Sequence, residues 1–109
     1  MSPDANSPPE TAPRILVVDD APTVQHFLRL ALAEGGYRQV ELVGTVADAQ
    51  VALEREFDLA FIDKNLGDGD GFAVAREVRR RWPHAARIMM TADQSVETAI
   101  RALEEDIYA

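Results

Sequence analysis

Four polar residues stand where apolar runs of this chain end. Arg14-Ile-Leu-Val-Val runs into Asp19-Asp20, Phe57-Asp-Leu-Ala-Phe-Ile runs into Asp63, and Arg87-Ile-Met-Met runs into Thr91. If these runs are neighbouring strands, three carboxylates and a hydroxyl meet at one edge of a sheet. Two carboxylates about 4 Å apart repel by about 4 kcal/mol at an effective dielectric near 20. Such a group is stable only with a raised pKa or a cation between the acids. Hard oxygen ligands suit Mg²⁺, which takes one or two carboxylates and keeps several waters. A carboxylate beside that ion can act as a nucleophile toward a phosphoryl group, with the metal neutralising the oxygens during in-line transfer. Thr91 supplies a hydroxyl able to hydrogen-bond the attached group.

The elements that must position these residues are legible from period and punctuation. Apolar runs of this length suit strands covered on both faces by helices, as in a parallel α/β sheet. In such sheets the ligand crevice lies beyond the carboxyl ends of the strands. After the first strand, Pro22 suits the first turn of a helix. Val24, Phe27, Leu28, Ala31 and Leu32 then repeat at helical spacing up to Gly35-Gly36, where the helix is expected to end. Residues 40–43 form a second strand. Thr45-Val-Ala-Asp48 reads as a capping box for a helix through about Glu54, with Val46, Ala49 and Leu53 inward. The third strand covers residues 57–62, and a loop with three glycines follows Asp63. Phe72 to Trp82 is helical and stops at Pro83. Residues 87–91 form a fourth strand, and a last helix spans about residues 95–105. The alternation βαβαβαβα predicts a parallel sheet with right-handed crossovers.

The totals are those of one domain: 109 residues, 47% hydrophobic and 28% charged, enough for one core. The net charge of −8 argues against nucleic acid as this domain's partner, because phosphate backbones recruit basic surfaces. There is no cysteine, which excludes disulfides and thiolate metal sites. No apolar run approaches the roughly 18 residues of a membrane span, and the N-terminus lacks the pattern of a signal peptide. The expectation is a soluble cytoplasmic domain without a membrane partner. Residues 1–13 hold four prolines and two serines and read as a disordered tail before a domain over residues 14–109.

With Val-Val-Asp19-Asp20, Asp63 followed by Gly71 after its loop, and Thr91-Ala92 in this order and spacing, the chain resembles the receiver domain of two-component response regulators. The resemblance runs from about Arg14 to the last residue. It implies a flavodoxin-like doubly wound sheet of strand order 2-1-3-4-5. It also implies that Asp63 accepts a phosphoryl group from a histidine kinase or a histidine phosphotransfer protein. By the same resemblance Asp20 and Asp63 ligate Mg²⁺, Asp19 helps through water, and Asn65 contributes its backbone carbonyl. Thr91 is the hydroxyl that follows the phosphoryl group and moves the loop beyond the fourth strand. The result is a signalling switch, not a metabolic enzyme.

Two departures bear on this expectation. Gly67 stands where the family usually has proline, which predicts a looser loop. The family also ends with a fifth strand, carrying a lysine near its end and an aromatic switch residue, and a fifth helix. This chain stops at Ala109, before that strand is expected to begin. Lys64 is a poor substitute for the lysine, because strand neighbours point oppositely, and Tyr108 falls early for the aromatic. The expectation is therefore a receiver cut short before its fifth βα unit, whose exposed strand edge favours self-association, including a homodimer, or lowers stability.

Plainer readings exist for each residue singled out. Any one of Asp19, Asp20 and Asp63 can be a loop acid capping a helix, and Thr91 a strand-end hydroxyl bonded to backbone. Residues 63–74 look superficially like a calcium loop, but Asp68 replaces the glycine at its sixth position and Val74 the glutamate at its twelfth. Asp68 and Asp70 read as solvated turn residues. Arg76, Arg79, Arg80, Arg81 and Arg87 form a basic patch, which a helix C-terminus favours. His26 and His84 take exposed positions, and Met89 and Met90 pack the core. Two rivals remain: a receiver-like interaction module that works without phosphate, and an aspartyl-phosphate hydrolase of the haloacid dehalogenase type. The latter wants an aspartate two residues after the nucleophile, where Asn65 stands.

Overall fold

Apolar runs in this chain alternate with helical stretches, and parallel pairing is the way such runs bury both faces. A computed structural model describes residues 12–91. They comprise β1 (Arg14–Val18), α1 (Pro22–Glu34), β2 (Gln39–Val43), α2 (Val46–Ala52), β3 (Leu59–Asp63), β4 (Asn65–Leu66), β5 (Gly69–Asp70), α3 (Gly71–Arg81) and β6 (Ala86–Met90). The main sheet has the order β2-β1-β3-β6, all parallel, and β4 and β5 make a separate two-residue antiparallel ladder. This is the expected 2-1-3-4 order, β6 being the fourth long strand. Among the described residues β6 pairs only with β3. The helix expected at about residues 95–105, Ala92, Tyr108 and most of the N-terminal tail lie outside the described residues.

Registers run from Ile15↔Val40 to Val18↔Val43 on one side of β1 and from Ile15↔Leu59 to Val18↔Ile62 on the other. Asp19 thus leaves β1 directly after the pair Val18↔Ile62, and Asp63 follows Ile62. The third strand begins two residues later than the sequence reading placed it. Asp58 is diverted to clamp the start of β1: Arg14 N–H donates to Asp58 Oδ2 at 2.8 Å, and Asp58 N–H to the Arg14 carbonyl at 2.8 Å.

One face of the sheet packs under α2 and α3. Leu16, Val18, Ala60, Ile62 and Met89 join Ala49, Leu53, Phe57, Phe72, Ala75 and Val78 in one buried cluster. Trp82 closes its rim, its indole Nε1–H donating to the Leu53 carbonyl at 2.9 Å and so linking the ends of α2 and α3. Ile15 and Val17, at the alternate positions of β1, are buried as well.

Helix α1 forms where its repeat placed it. Pro22 opens it and Gly35 caps it, with Gly36 at φ +89° and Tyr37 N–H closing onto the Leu32 carbonyl at 2.9 Å. A positive φ is what glycine admits at a helix end. Yet α1 has no fully buried residue, and Phe27 and Leu30 are 68% and 51% exposed. Its apolar stripe is wider than the face it presents to the sheet. Met90 is only half-buried beside the fully buried Met89.

The basic patch also divides. Arg80 and Arg81 both pair with Glu77, at 2.6 and 2.7 Å, and these two partners hold the Glu77 carboxyl down at about 2. Arg87 is no surface cation: it is 6% exposed and its guanidinium donates to the Ala75 carbonyl at 3.3 Å. Its aliphatic stem occupies a core position of β6 while its charged head meets a helix carbonyl, the way long cationic side chains are buried.

The two turn acids, Asp68 and Asp70, also act as structural caps, Asp68 from a solvent-exposed position. Asp70 is the N-cap of α3 and accepts from Phe72 N–H at 2.8 Å. Asp68 reaches across to α2, accepting from Val46 N–H at 2.8 Å and Ala47 N–H at 3.2 Å, while Thr45 accepts from Asp48 N–H. These backbone donors hold the Asp68 carboxyl below its usual range. A depressed pKa means stability that is present above the ordinary value near 3.8 and lost as pH falls through the folded one. Asp68→Ala is therefore expected to lower the urea midpoint at neutral pH, with Asp68→Asn retaining part of the cap and the difference from wild type closing in acid. An unchanged midpoint at pH 7 would remove this cap from the account.

Candidate functional site

The site begins with strand ends. β1 and β3 are adjacent and in register, so their last residues emerge at the same level. Asp19, Asp20 and Asp63 each offer a carboxylate oxygen, and these atoms all lie within 4.8 Å of one another. Asp19 is buried, at 5% exposure, Asp63 is half-buried and Asp20 is exposed. The carboxylates thus form a gradient from core to solvent.

Local bonds orient each acid. Asp19 N–H donates to the Val43 carbonyl at 3.0 Å, and its Oδ1 accepts from Ala21 N–H at 2.8 Å. Asp63 Oδ1 accepts from Asn65 N–H at 3.3 Å. Burial, foremost, raises the Asp63 pKa, and the charges of Asp19 and Asp20 add to it. The backbone N–H groups of Asn65 and Lys64 offset part of this rise.

The loop after β3 is held tightly despite its glycines. Lys64 N–H donates to the Met90 carbonyl at 2.9 Å, and Gly71 N–H to the Lys64 carbonyl at 2.7 Å. Asp68 ties the middle of the loop to α2, so the looseness expected from Gly67 is countered at both ends and at the centre. A Cβ on Gly67 would lie 4.0 Å from Asp20 Oδ2, an ordinary contact. Gly71 differs. A Cβ there would stand 1.9 Å from the Asp63 carbonyl oxygen and 2.8 Å from its carbon. The first residue of α3 therefore packs directly on the backbone of Asp63, and only glycine fits. Its place in the sequence pattern has a steric cause.

Thr91 directly follows Met90, the register partner of Asp63, and is half-buried at the same edge of the sheet. Asn65 is exposed and pairs with Asp70 in the short ladder. The structure thus gathers Asp19, Asp20 and Asp63 into one cluster and sets Asn65 and Thr91 on the segments that leave β3 and β6. Two contributors went beyond the sequence reading, which took Asp68 only as a turn residue and did not single out Gln25. Asp68 works through tertiary contacts, which local pattern does not reveal. Gln25 lies on α1, and its side-chain nitrogen donates to the Asp19 carbonyl at 2.6 Å and the Val43 carbonyl at 3.2 Å.

The donor set fits a small hard cation. Opposed ligands on an octahedral Mg²⁺ stand about 4.2 Å apart, so oxygens within 4.8 Å need only small side-chain adjustments to share one ion. A cation would also relieve the repulsion that raises Asp63.

A doubly wound parallel sheet with an acidic cluster at the carboxyl ends of two central strands defines a receiver-type α/β domain. The comparisons with known proteins agree. The model of the response regulator receiver domain matches residues 15–109, and the chain belongs to this family. The alginate biosynthesis transcriptional regulatory protein AlgB of Pseudomonas putida is 34% identical over 92 residues, 84% of this chain and 20% of that protein. The chain thus spans about a fifth of the length of that curated relative. A CheY-like receiver domain protein from Methanospirillum hungatei superposes with a TM-score of 0.81 at 29% identity, covering 88% of this chain and 77% of that one. The response regulator MaeR, solved bound to beryllium trifluoride, gives 0.71 at 32% identity, with 84% and 76% covered.

Proposed function

We propose that this chain is a phosphoryl-accepting switch in which Asp63 takes the phosphoryl group of a phosphohistidine on a kinase or phosphotransfer protein. An Asp63 carboxylate oxygen forms a bond to phosphorus as the phosphorus–nitrogen bond to histidine breaks, which leaves an acyl phosphate here and a free imidazole on the donor. The observation that carries this reading is the meeting of three carboxylates, with Asp63 the one held partly out of water and raised in pKa. Support comes from MaeR, a 32% identical structure solved with beryllium trifluoride, a tetrahedral mimic of a phosphoryl group. Asp20 and Asp63 would hold Mg²⁺ directly, Asp19 through water, and Asn65 by its backbone carbonyl. Bound Mg²⁺ supplies positive charge against the phosphoryl oxygens. The Asn65–Asp63 bond and Gly71 fix the direction of the nucleophile, and Thr91 receives a phosphoryl oxygen through its hydroxyl and carries the change into the segment after β6.

Residues 14–109 act as the receiver unit, with 1–13 as a tether, in the cytoplasm where kinase domains meet their acceptors. The net charge of −8 leaves any nucleic-acid contact to other domains of the protein in which the receiver works. Among the described residues no helix is long and apolar enough to cross a membrane.

Intact mass after incubation with a small-molecule phosphodonor and Mg²⁺ tests the proposal. The wild-type chain is expected to gain one phosphoryl group, and Asp63→Asn none. A wild type that stays unmodified, yet binds a kinase equally well with and without Asp63, would replace this reading with that of a phosphate-independent interaction module.

A further inference from the structure

We infer that Gln25 is a positioning residue for the metal site, acting from α1 on the turn that carries Asp19 and Asp20. The inference rests on the proposed Mg²⁺ site and names a residue outside its ligand set. Gln25 does not touch the carboxylates. Its amide nitrogen donates to the Asp19 carbonyl at 2.6 Å and to the Val43 carbonyl at 3.2 Å. Both partners are carbonyls, which only accept, so the nitrogen and not the oxygen of the amide must face them. Val43 O also receives Asp19 N–H at 3.0 Å. The peptide group before Asp19 is thereby held to the end of β2 and the one after it to Gln25 of α1.

The Asp19 carbonyl belongs to the peptide plane that joins Asp19 to Asp20. Fixing that oxygen fixes the plane from which Asp20 departs, and with it the direction of the most exposed carboxylate of the cluster. Among the described residues no group donates a hydrogen bond to the Asp20 side chain, whereas the Asp19 side chain is held by Ala21 N–H. Gly44 completes the socket: a Cβ there would lie 3.8 Å from the Asp19 carbonyl oxygen and 3.9 Å from Gln25 Nε2.

Outer groups that orient ligands typically govern 10–100-fold in metal affinity. Gln25→Met keeps the length and packing of the side chain and removes both donors. It is expected to weaken Mg²⁺ binding by about tenfold or more, measured by isothermal titration on the unphosphorylated chain, with the metal-free melting temperature moving little. Asp58→Ala serves as the control, since it removes the clamp on the start of β1, at the opposite end of the sheet from the acids. It should lower the melting temperature and leave the Mg²⁺ affinity unchanged. Gln25→Met binding Mg²⁺ like wild type overturns the inference even if it melts lower, because the residue is then merely structural. A wild-type chain that shows no Mg²⁺ binding overturns the metal reading itself, and the positioning role with it.

Discussion

Gly71→Ala is expected to destabilise the chain by about 3 kcal/mol or more, beyond the usual cost of overpacking. The added methyl would stand 1.9 Å from the Asp63 carbonyl oxygen, with Ile62 Cγ2 at 3.1 Å. No rotamer change relieves a clash with backbone. Either α3 retreats, which opens the cluster around Phe72, Val74, Ala75 and Val78, or β3 bends and carries Asp63 away from Asp19 and Asp20. For a domain of this size the loss corresponds to roughly 10–20 °C in melting temperature. Urea unfolding checks the stability and Mg²⁺ titration the geometry of the site. A variant melting within about 2 °C of wild type would show that the close packing of α3 on Asp63 is absent in solution.

Asp63→Asn is expected to have opposite effects on function and stability. It ends phosphoryl uptake and raises the stability of the metal-free protein. At 4.8 Å two unit charges interact by about 0.9 kcal/mol in water and about 3.5 kcal/mol at an effective dielectric of 20. Asp63 faces two such neighbours at an edge open to solvent, so a gain of about 1–2 kcal/mol is expected at pH 7. The amide oxygen keeps the acceptor that Asn65 N–H uses. The pH dependence follows from the raised pKa of Asp63. A carboxyl whose folded pKa exceeds its unfolded value favours folding most below the unfolded value, and that advantage fades as pH rises through the folded one. The gap between variant and wild type should therefore be widest above the folded pKa and should narrow as pH falls toward 3.8. Saturating Mg²⁺ should reverse the order, because a ligand stabilises the form that binds it. A variant less stable than wild type at pH 7 without metal would contradict the electrostatic account.

The four strands of the main sheet were legible as short apolar runs, three of them closed by a polar residue, and their observed bounds differ from the reading by one or two positions, whereas β4 and β5 fall in the segment read as a loop. Asp19, Asp20 and Asp63 were legible for the same reason: an acid directly after a buried run has nowhere to go but the strand end. What sequence did not reveal depends on partners distant in the chain. Phe27 fits the periodic stripe of α1, yet which part of a wide stripe meets the sheet is decided by packing. Arg87 looked like surface because it is charged, and its burial depends on the Ala75 carbonyl arriving from α3. Asp68 resembled any turn acid until the amides of Val46 and Ala47 came within reach. Gln25 carried no signal, since a glutamine in a helix is ordinary until two carbonyls converge on it.

The β2-β1-β3-β6 order has a consequence for how the protein is made. None of its long strands is joined to a spatial neighbour by a tight turn, so the main sheet cannot grow by zipping hairpins. Ile15 must find Val40 and then Leu59, 25 and 44 positions along the chain (40 − 15 and 59 − 15), and each closure costs entropy before its contacts form. As the chain leaves the ribosome, β1 therefore waits with two oily faces until β3 has been synthesised. Asp19 and Asp20 meet Asp63 only when that pairing is complete. A cation held by the trio would thus bind only the finished sheet, and its binding would report that β1 and β3 have paired.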